Sequence, residues 1–300
     1  MQLFVVGNTG VDETFMISEL PAKGASIHGV KLHQDLGGKG ANQAIILSRC
    51  GISTTFITAL GNDAQGQWCK EQIKNERLTL LPDKYYACRT DSSLIFNCDD
   101  GDNAIITTTT AAEALSLKDV TQALELSQPH DLLLQQGNFS AKKTGEIFFL
   151  AKEKKLTTVF NPSPFNPFFK ELLPLVDILV VNQLEAQLLS GEQEINSAAA
   201  RLLDNGVRQL IITLGADGAL LQDAQGQQRI AAAPVKVVDT TGAGDTFLAV
   251  MLASALTHQQ PVSVRDLHCA AAASAITISR TGTLSAFPTA TELAALLASY

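Results

Sequence analysis

No uncharged apolar run in this 300-residue chain approaches the roughly 20 residues of a membrane span, so no membrane-spanning helix is expected. Low-complexity tracts and blocks of like charge are also missing. With apolar residues at 46% and charged residues at 17%, the whole chain is expected to fold. There is no Lys/Arg stripe, and the net charge of −8 weighs against nucleic acid as a partner, because affinity for polyanions comes from neutralising phosphates. The five cysteines, Cys50, Cys69, Cys88, Cys98 and Cys269, are odd in number and contain no C-x-x-C pair, which points to reduced thiols in a cytoplasm. The opening "MQLFVVGNTG" lacks a basic n-region and reads as a first strand, not a signal peptide.

Several familiar motifs are missing as well. Lys39 follows glycines but precedes Gly40, so no Walker loop is formed. "GNTGVD" lacks G-x-G-x-x-G, and "GAGDTF" has Phe247 at the place of a third glycine, which leaves a Rossmann dinucleotide site, and with it a dehydrogenase, unsupported. The five histidines show no H-x-x-x-H pair, and "DDGDN" has no glutamate at the spacing of a calcium loop.

What is present is an alternation of apolar strand-like runs with helix-period segments, the pattern of a parallel α/β sheet. Strands are expected at 3–7 and 54–61, and helices at 41–51, 64–76 and 116–128. The alternation continues to a strand around Val235, Val237 and Val238, and helices at 245–257, 263–280 and 289–299 close the chain. Residues 27–36 and 88–110 break the rhythm. The second contains Asp-Gly pairs between Thr/Ile-rich runs, a hairpin signature. Both are expected to form a small β excursion beside the main sheet, either a decorative edge or a lid over a site at the strand ends.

Two stretches carry the chemistry. In "DTTGAGDTF" a glycine turn, Gly242-Ala243-Gly244, opens a helix whose first amides and positive dipole end would hold an anion. Asp245 beside them could be a plain N-cap, yet the Gly-Ala-Gly geometry favours a carboxylate that takes a proton from a hydroxyl. Phosphoryl transfer needs this combination of positioning amides, metal and base. In "LGGKGANQA" (36–44), paired glycines permit close backbone approach, and Lys39 and Asn42 stand just before a helix; alone, this is also the pattern of a tight turn with a solvated lysine.

"GGKGANQA" followed about two hundred residues later by "DTTGAGDTF" resembles the PfkB-type carbohydrate kinases, and within them the ribokinases. "GNTGVD", "LIFNCDDGDN", "NPSP", "VNQLEA", "ITLGADG" and "RTG" fall in the family's order along nearly the full length. The resemblance implies a single ribokinase-like α/β domain over residues 1–300. It would have three layers, with a mostly parallel central sheet flanked by helices and a small β-sheet lid from segments at about 12–36 and 88–110. It further implies Asp245 as the base, with Gly242, Ala243 and Gly244 as the anion hole. The sugar would be held by Asp12, Gly38, Lys39, Gly40 and Asn42, with Asp245 beside it. Asn182 and Glu185 would serve the Mg-nucleotide, Glu185 through a water on Mg2+. Thr213, Gly215 and Gly218 would line the ATP site, where Gly244 would also contribute. Asp239 and Thr241 would serve a monovalent cation, K+, with carbonyls near Thr277, Arg280 and Gly282.

The departures concern the sugar. Where ribokinases have an asparagine two residues before the first aspartate, Gly10 stands here; where they have a sugar-binding glutamate, Gly137 or Asn138 stands. Losing such a partner changes selectivity strongly. The expected activity is therefore an ATP-dependent sugar kinase, for ribose or a close relative, cytoplasmic and homodimeric through its lid. Fructokinase, deoxyribokinase or nucleoside kinase activity, and a catalytically silent sugar- or nucleotide-binding regulator, stand as alternatives.

Overall fold

The computed structural model describes residues 1–98 and 103–300. With strands and helices numbered in chain order, the main sheet is built from β1 (Leu3–Val6), β4 (Thr54–Ile57), β5 (Thr79–Leu81), β8 (Leu132–Gln136), β9 (Thr157–Asn161), β10 (Ile178–Asn182), β11 (Gln209–Thr213), β12 (Ala219–Asp223) and β13 (Gly226–Ile230). Their order is β13-β12-β11-β10-β9-β8-β1-β4-β5, parallel from β11 to β5, with the β12–β13 hairpin antiparallel at one edge. The strands alternate their burial between two cores. Leu3, Val5, Leu132 and Leu134 face a layer of α1 (Lys39–Arg49), α2 (Ala64–Lys74), α8 (Ala243–His258), α9 (Val264–Ile278) and α10 (Ala290–Ser299). Phe4, Val6 and Leu133 face α4 (Leu117–Ala123), α5 (Ala141–Glu153), α6 (Gln183–Ser190) and α7 (Ile195–Asp204). Burial on both faces explains why these strands read as continuous apolar runs.

A second, four-stranded sheet has the order β3-β2-β6-β7 and is made of β2 (Gly10–Ile17), β3 (Gly29–Gly37), β6 (Asp91–Cys98) and β7 (Asn103–Thr107), with α3 (Thr110–Ala114) following it. This is the β excursion expected from the broken rhythm. β6 and β7 pair antiparallel, while the Asp-Gly turn expected between them lies outside the described residues. Among the described residues, no helix is long and apolar enough to cross a membrane.

The strand expected at Val235–Val238 does not form. Pro234 has no N–H to give a ladder, and the Val238 and Asp239 amides donate instead to the Ile278 carbonyl at the end of α9, at 2.8 and 3.2 Å. Val237 and Val238 are correspondingly exposed. The segment crosses to α8 as extended chain and forms part of a cavity wall.

Candidate active site

The glycines before α1 and α8 place the two motifs against each other. Gly38 caps α1 at φ 98°, with the Asn8 carbonyl so near that a Cβ would come within 2.8 Å of it. Asn8, at the end of β1, supplies the missing cap: its side chain accepts from the Gly40 amide at 3.3 Å and its carbonyl from Ala41 at 3.1 Å. α1 is thereby fixed to the carboxyl end of the central strand, and Asn42 and Gln43 of its first turns face α8.

Asp245, 4% exposed, is not used to cap its own helix, whose N-cap Gly242 makes no side-chain cap bond. Its Oδ2 accepts from Asn42 Nδ2 at 3.0 Å and its Oδ1 from Gln43 Nε2 at 2.8 Å, while Lys39 Nζ lies 3.9 Å from Oδ1. The carboxylate is held by amide donors and a nearby ammonium group, at the helix end where anions are favoured. Gly242 adopts φ 76°, and a Cβ there would meet the Phe287 ring at 2.5 Å. The Ala243 amide turns back to Thr240 O at 3.3 Å, so the uncapped donors of the turn lie beyond it, at Gly244 and Asp245.

On the small-sheet side, Asp12 of β2 lies against Gly37, where a Cβ would come within 2.0 Å of its carboxylate. Burial, with Asp35 and Asp245 as neighbouring negative charges, pushes the Asp12 carboxyl up to about 6, against a hydrogen bond from Ser93 and the Lys39 charge. Asp12, Lys39, Asn42 and Asp245 are thus brought together from β2, α1 and α8.

On the other side of the α8 turn lies a cavity of about 620 Å³. Thr213, Gly215 and Gly218 line it at one end and Ala243 and Gly244 at the other, with Val235 and Ile278 among the apolar groups between. Such a cavity has the size of a small-molecule site, with an apolar wall for a flat ring and a helix N-terminus for phosphates. Asn182 sits beside Thr213 in the sheet register. Asn182 and Glu185 form a reciprocal capping box at the start of α6: Asn182 Oδ1 accepts from the Glu185 amide at 2.8 Å, and Glu185 Oε2 from the Asn182 amide at 2.9 Å.

The pfkB family carbohydrate kinase pattern matches residues 2–290. The chain belongs to this family. It is 31% identical over 299 residues to the ribokinase of Staphylococcus aureus, covering 97% of this chain and 98% of that protein. It is 30% identical over 295 residues to the ribokinase of Mus musculus, covering 95% and 91%. Its fold superposes on the crystal structure of ribokinase from Thermotoga maritima with a TM-score of 0.87, at 27% identity and 99% coverage of both chains. It superposes on Arabidopsis thaliana ribokinase complexed with ribose and ATP with a TM-score of 0.84, at 26% identity, covering 99% of this chain and 98% of that one. The protein is thus a PfkB carbohydrate kinase, an ATP-binding phosphotransferase with the ribokinase-like α/β fold.

Within this PfkB site, the two departures from the ribokinase pattern do not open simple vacancies. A Cβ on Gly10 would lie 2.5 Å from the Asp91 carbonyl oxygen, and one on Gly137 only 2.2 Å from the Pro164 carbonyl oxygen. Main chain fills the space nearest both glycines. Asn138 beside Gly137 is buried, and its Oδ1 has no hydrogen-bond partner among the described residues.

Of the residues expected around a monovalent cation, Asp239, Thr241 and Gly282 stand together. Asp239 accepts from the Thr241 amide at 2.9 Å and the Gly282 amide at 3.3 Å, and these bonds hold its carboxyl below the usual carboxylate range against the cost of burial. The Thr277 hydroxyl pairs with Thr246 at 2.9 Å, and the Arg280 guanidinium pairs with Glu292, which leaves the main-chain carbonyls of these residues as the groups to be considered for a cation.

Reading the sequence missed Asn8, Gln43, Asp35, Ser93 and Phe287. Gln43 lay in plain view inside "GGKGANQA", but only the tertiary contact shows what its amide touches.

Proposed function

We propose that this kinase transfers the γ-phosphoryl group of ATP to a hydroxyl of ribose or a closely related sugar. The observation that carries the reading is Asp245, fixed by Asn42, Gln43 and Lys39 at the mouth of α8, on the turn that also walls the 620 Å³ cavity. In this reading ATP lies in the cavity, its base along the apolar wall between Thr213, Gly215 and Gly218 and its phosphates at Gly242–Gly244. The sugar lies between Asp12, Lys39, Asn42 and Asp245. The relative from Arabidopsis, complexed with ribose and ATP, supports these two as the ligands.

Asp245 takes the proton of the attacking hydroxyl as its oxygen bonds to the γ-phosphorus, and the bond to the bridging β-phosphate oxygen breaks, releasing ADP. Amides of the α8 turn meet the negative charge that spreads over the transferred group. Mg2+, when bound, neutralises phosphate charge; Glu185, whose Oε1 is not used in the capping box, would hold it through water beside Asn182. The four-stranded sheet closes over the sugar and excludes water. Two copies pair through that sheet, where Val30, Leu32, Ile105 and Ile106 are exposed. K+ would bind at Asp239 with main-chain carbonyls of the 277–282 segment. The free thiols of Cys50, Cys69, Cys88 and Cys269 fit a reduced cytoplasm.

The test is a phosphorylation assay of pentoses, deoxypentoses, ketohexoses and nucleosides, with and without K+, alongside Asp245→Asn and light scattering for the dimer. Turnover on ribose, reduced by roughly two to four orders of magnitude in Asp245→Asn with sugar and ATP still bound, is the expected result. Unchanged turnover in the variant would remove Asp245 from the mechanism.

A further inference from the structure

We propose that Gln136, acting through Gln43, is a positioning residue for Asp245. The inference rests on the reading of Asp245 as the base and deepens it. Gln136 is the last residue of β8, preceded by three leucines and Gln135, and both it and Gln43 are completely buried. Gln136 Nε2 donates to Gln43 Oε1 at 2.7 Å, and Gln43 Nε2 donates to Asp245 Oδ1 at 2.8 Å. The second N–H of Gln43 reaches Asn161 Oδ1 at 3.3 Å, and Asn161 is itself oriented by donating to the Val180 carbonyl at 3.0 Å.

The direction of this chain has a consequence. An amide has one accepting and one donating end. Because the Asp245 carboxylate only accepts, the NH2 group of Gln43 must face it, and Gln43 Oε1 is then left to accept from Gln136; a flipped Gln43 amide would lose all three bonds and set a carbonyl against a carboxylate. Gln136 is retained at a cost, since its own Oε1 is buried with no hydrogen-bond partner among the described residues. An apolar residue would pack there without that penalty. Gln136 therefore anchors Gln43 in the orientation that holds Asp245 Oδ1, while Asn42 holds Oδ2 at 3.0 Å.

The experiment compares Gln43→Met, Gln136→Met and the double variant with the native protein, using ATP and ribose from about pH 5 to 9. In parallel, the carboxylate stretch of Asp245 is isolated by 13C-aspartate infrared difference against Asp245→Asn. Gln43→Met should lower kcat roughly ten- to hundredfold, the range set by a hydrogen bond to a charged group, with both KM values within about twofold. Gln136→Met should lower kcat about three- to tenfold, shift the acid limb of the pH–rate profile, and move the same infrared band as Gln43→Met. The double variant should be no worse than Gln43→Met, because the effect of Gln136 passes through Gln43. Additive losses, or an unmoved band in Gln136→Met, overturn the proposal. If the native protein fails to phosphorylate ribose, the ribose assignment falls, while the infrared comparison still decides for or against the relay.

Discussion

Asp12 and Asp35 are cross-strand partners on β2 and β3, two carboxylates opposed at the edge of the proposed sugar site. Asp35 is one of the charges that, with burial, raise the Asp12 carboxyl to about 6. A folded-state value raised above the ordinary one contributes stability that is full below about pH 4 and lost as pH rises through 6. Asp12→Asn should therefore be more stable than the native protein at pH 7.5, on the order of 2 kcal/mol, with the difference vanishing near pH 4. Urea unfolding at the two pH values checks this. If ionised Asp12 accepts sugar hydroxyls, KM for the sugar should rise as pH falls below 6. Asp35→Asn should move that rise to lower pH; an unmoved profile would show that Asp35 does not act on Asp12.

Gly242 and Gly244 should respond oppositely to the same substitution. Gly242 has φ 76° with the Phe287 ring against it, so Gly242→Ala is expected to cost ~1–3 kcal/mol and to lower kcat. Thermal unfolding and steady-state kinetics measure both effects.

At Gly244, by contrast, an added Cβ meets nothing within 4 Å, and the residue lines the large cavity. Gly244→Ala should leave stability unchanged or raised by about 0.5–1 kcal/mol, as for any helical glycine, while the methyl group obstructs the phosphates. An increase in KM for ATP or a fall in kcat, at undiminished melting temperature, is the expected signature; full activity would place the phosphates elsewhere.

A glutamate at position 137, one of the two positions that match the ribokinase glutamate, should not simply supply a sugar contact. The Pro164 carbonyl occupies the place of its Cβ, so even Gly137→Ala is expected to destabilise the protein by about 1–3 kcal/mol through overpacking. A stable, fully active Gly137→Glu protein would show that the 163–164 segment yields readily.

The alternation of apolar runs and helical periods was enough to indicate the parallel sheet, because strands buried on both faces have no other way to be written. The β excursion was legible too, since a polar-edged, Thr/Ile-rich segment with Asp-Gly pairs cannot sit between two helix layers. Val235–Val238 misled for the opposite reason: β-branched composition states a preference, whereas a strand needs a neighbour, and here the neighbouring group is the carbonyl of Ile278. The β12–β13 hairpin went unread, its outer strand being largely exposed and polar.

By itself, the sequence determined that two glycine-rich turns would each open a helix, and that a lysine, an asparagine and an aspartate would stand at them, because backbone conformation and helix-end polarity are local properties. What Asp245 would bond to, its own helix end or another element, was a tertiary question. Its fate depends on Asn42 and Gln43, some 200 residues away in the chain, which take up both its oxygens only when α1 and α8 pack together at the carboxyl end of the sheet. The closed space behind Gly10 and Gly137 and the direction of the Gln43 amide were likewise decided there. Each is set by what main chain or side chain lies opposite, and no local pattern records that.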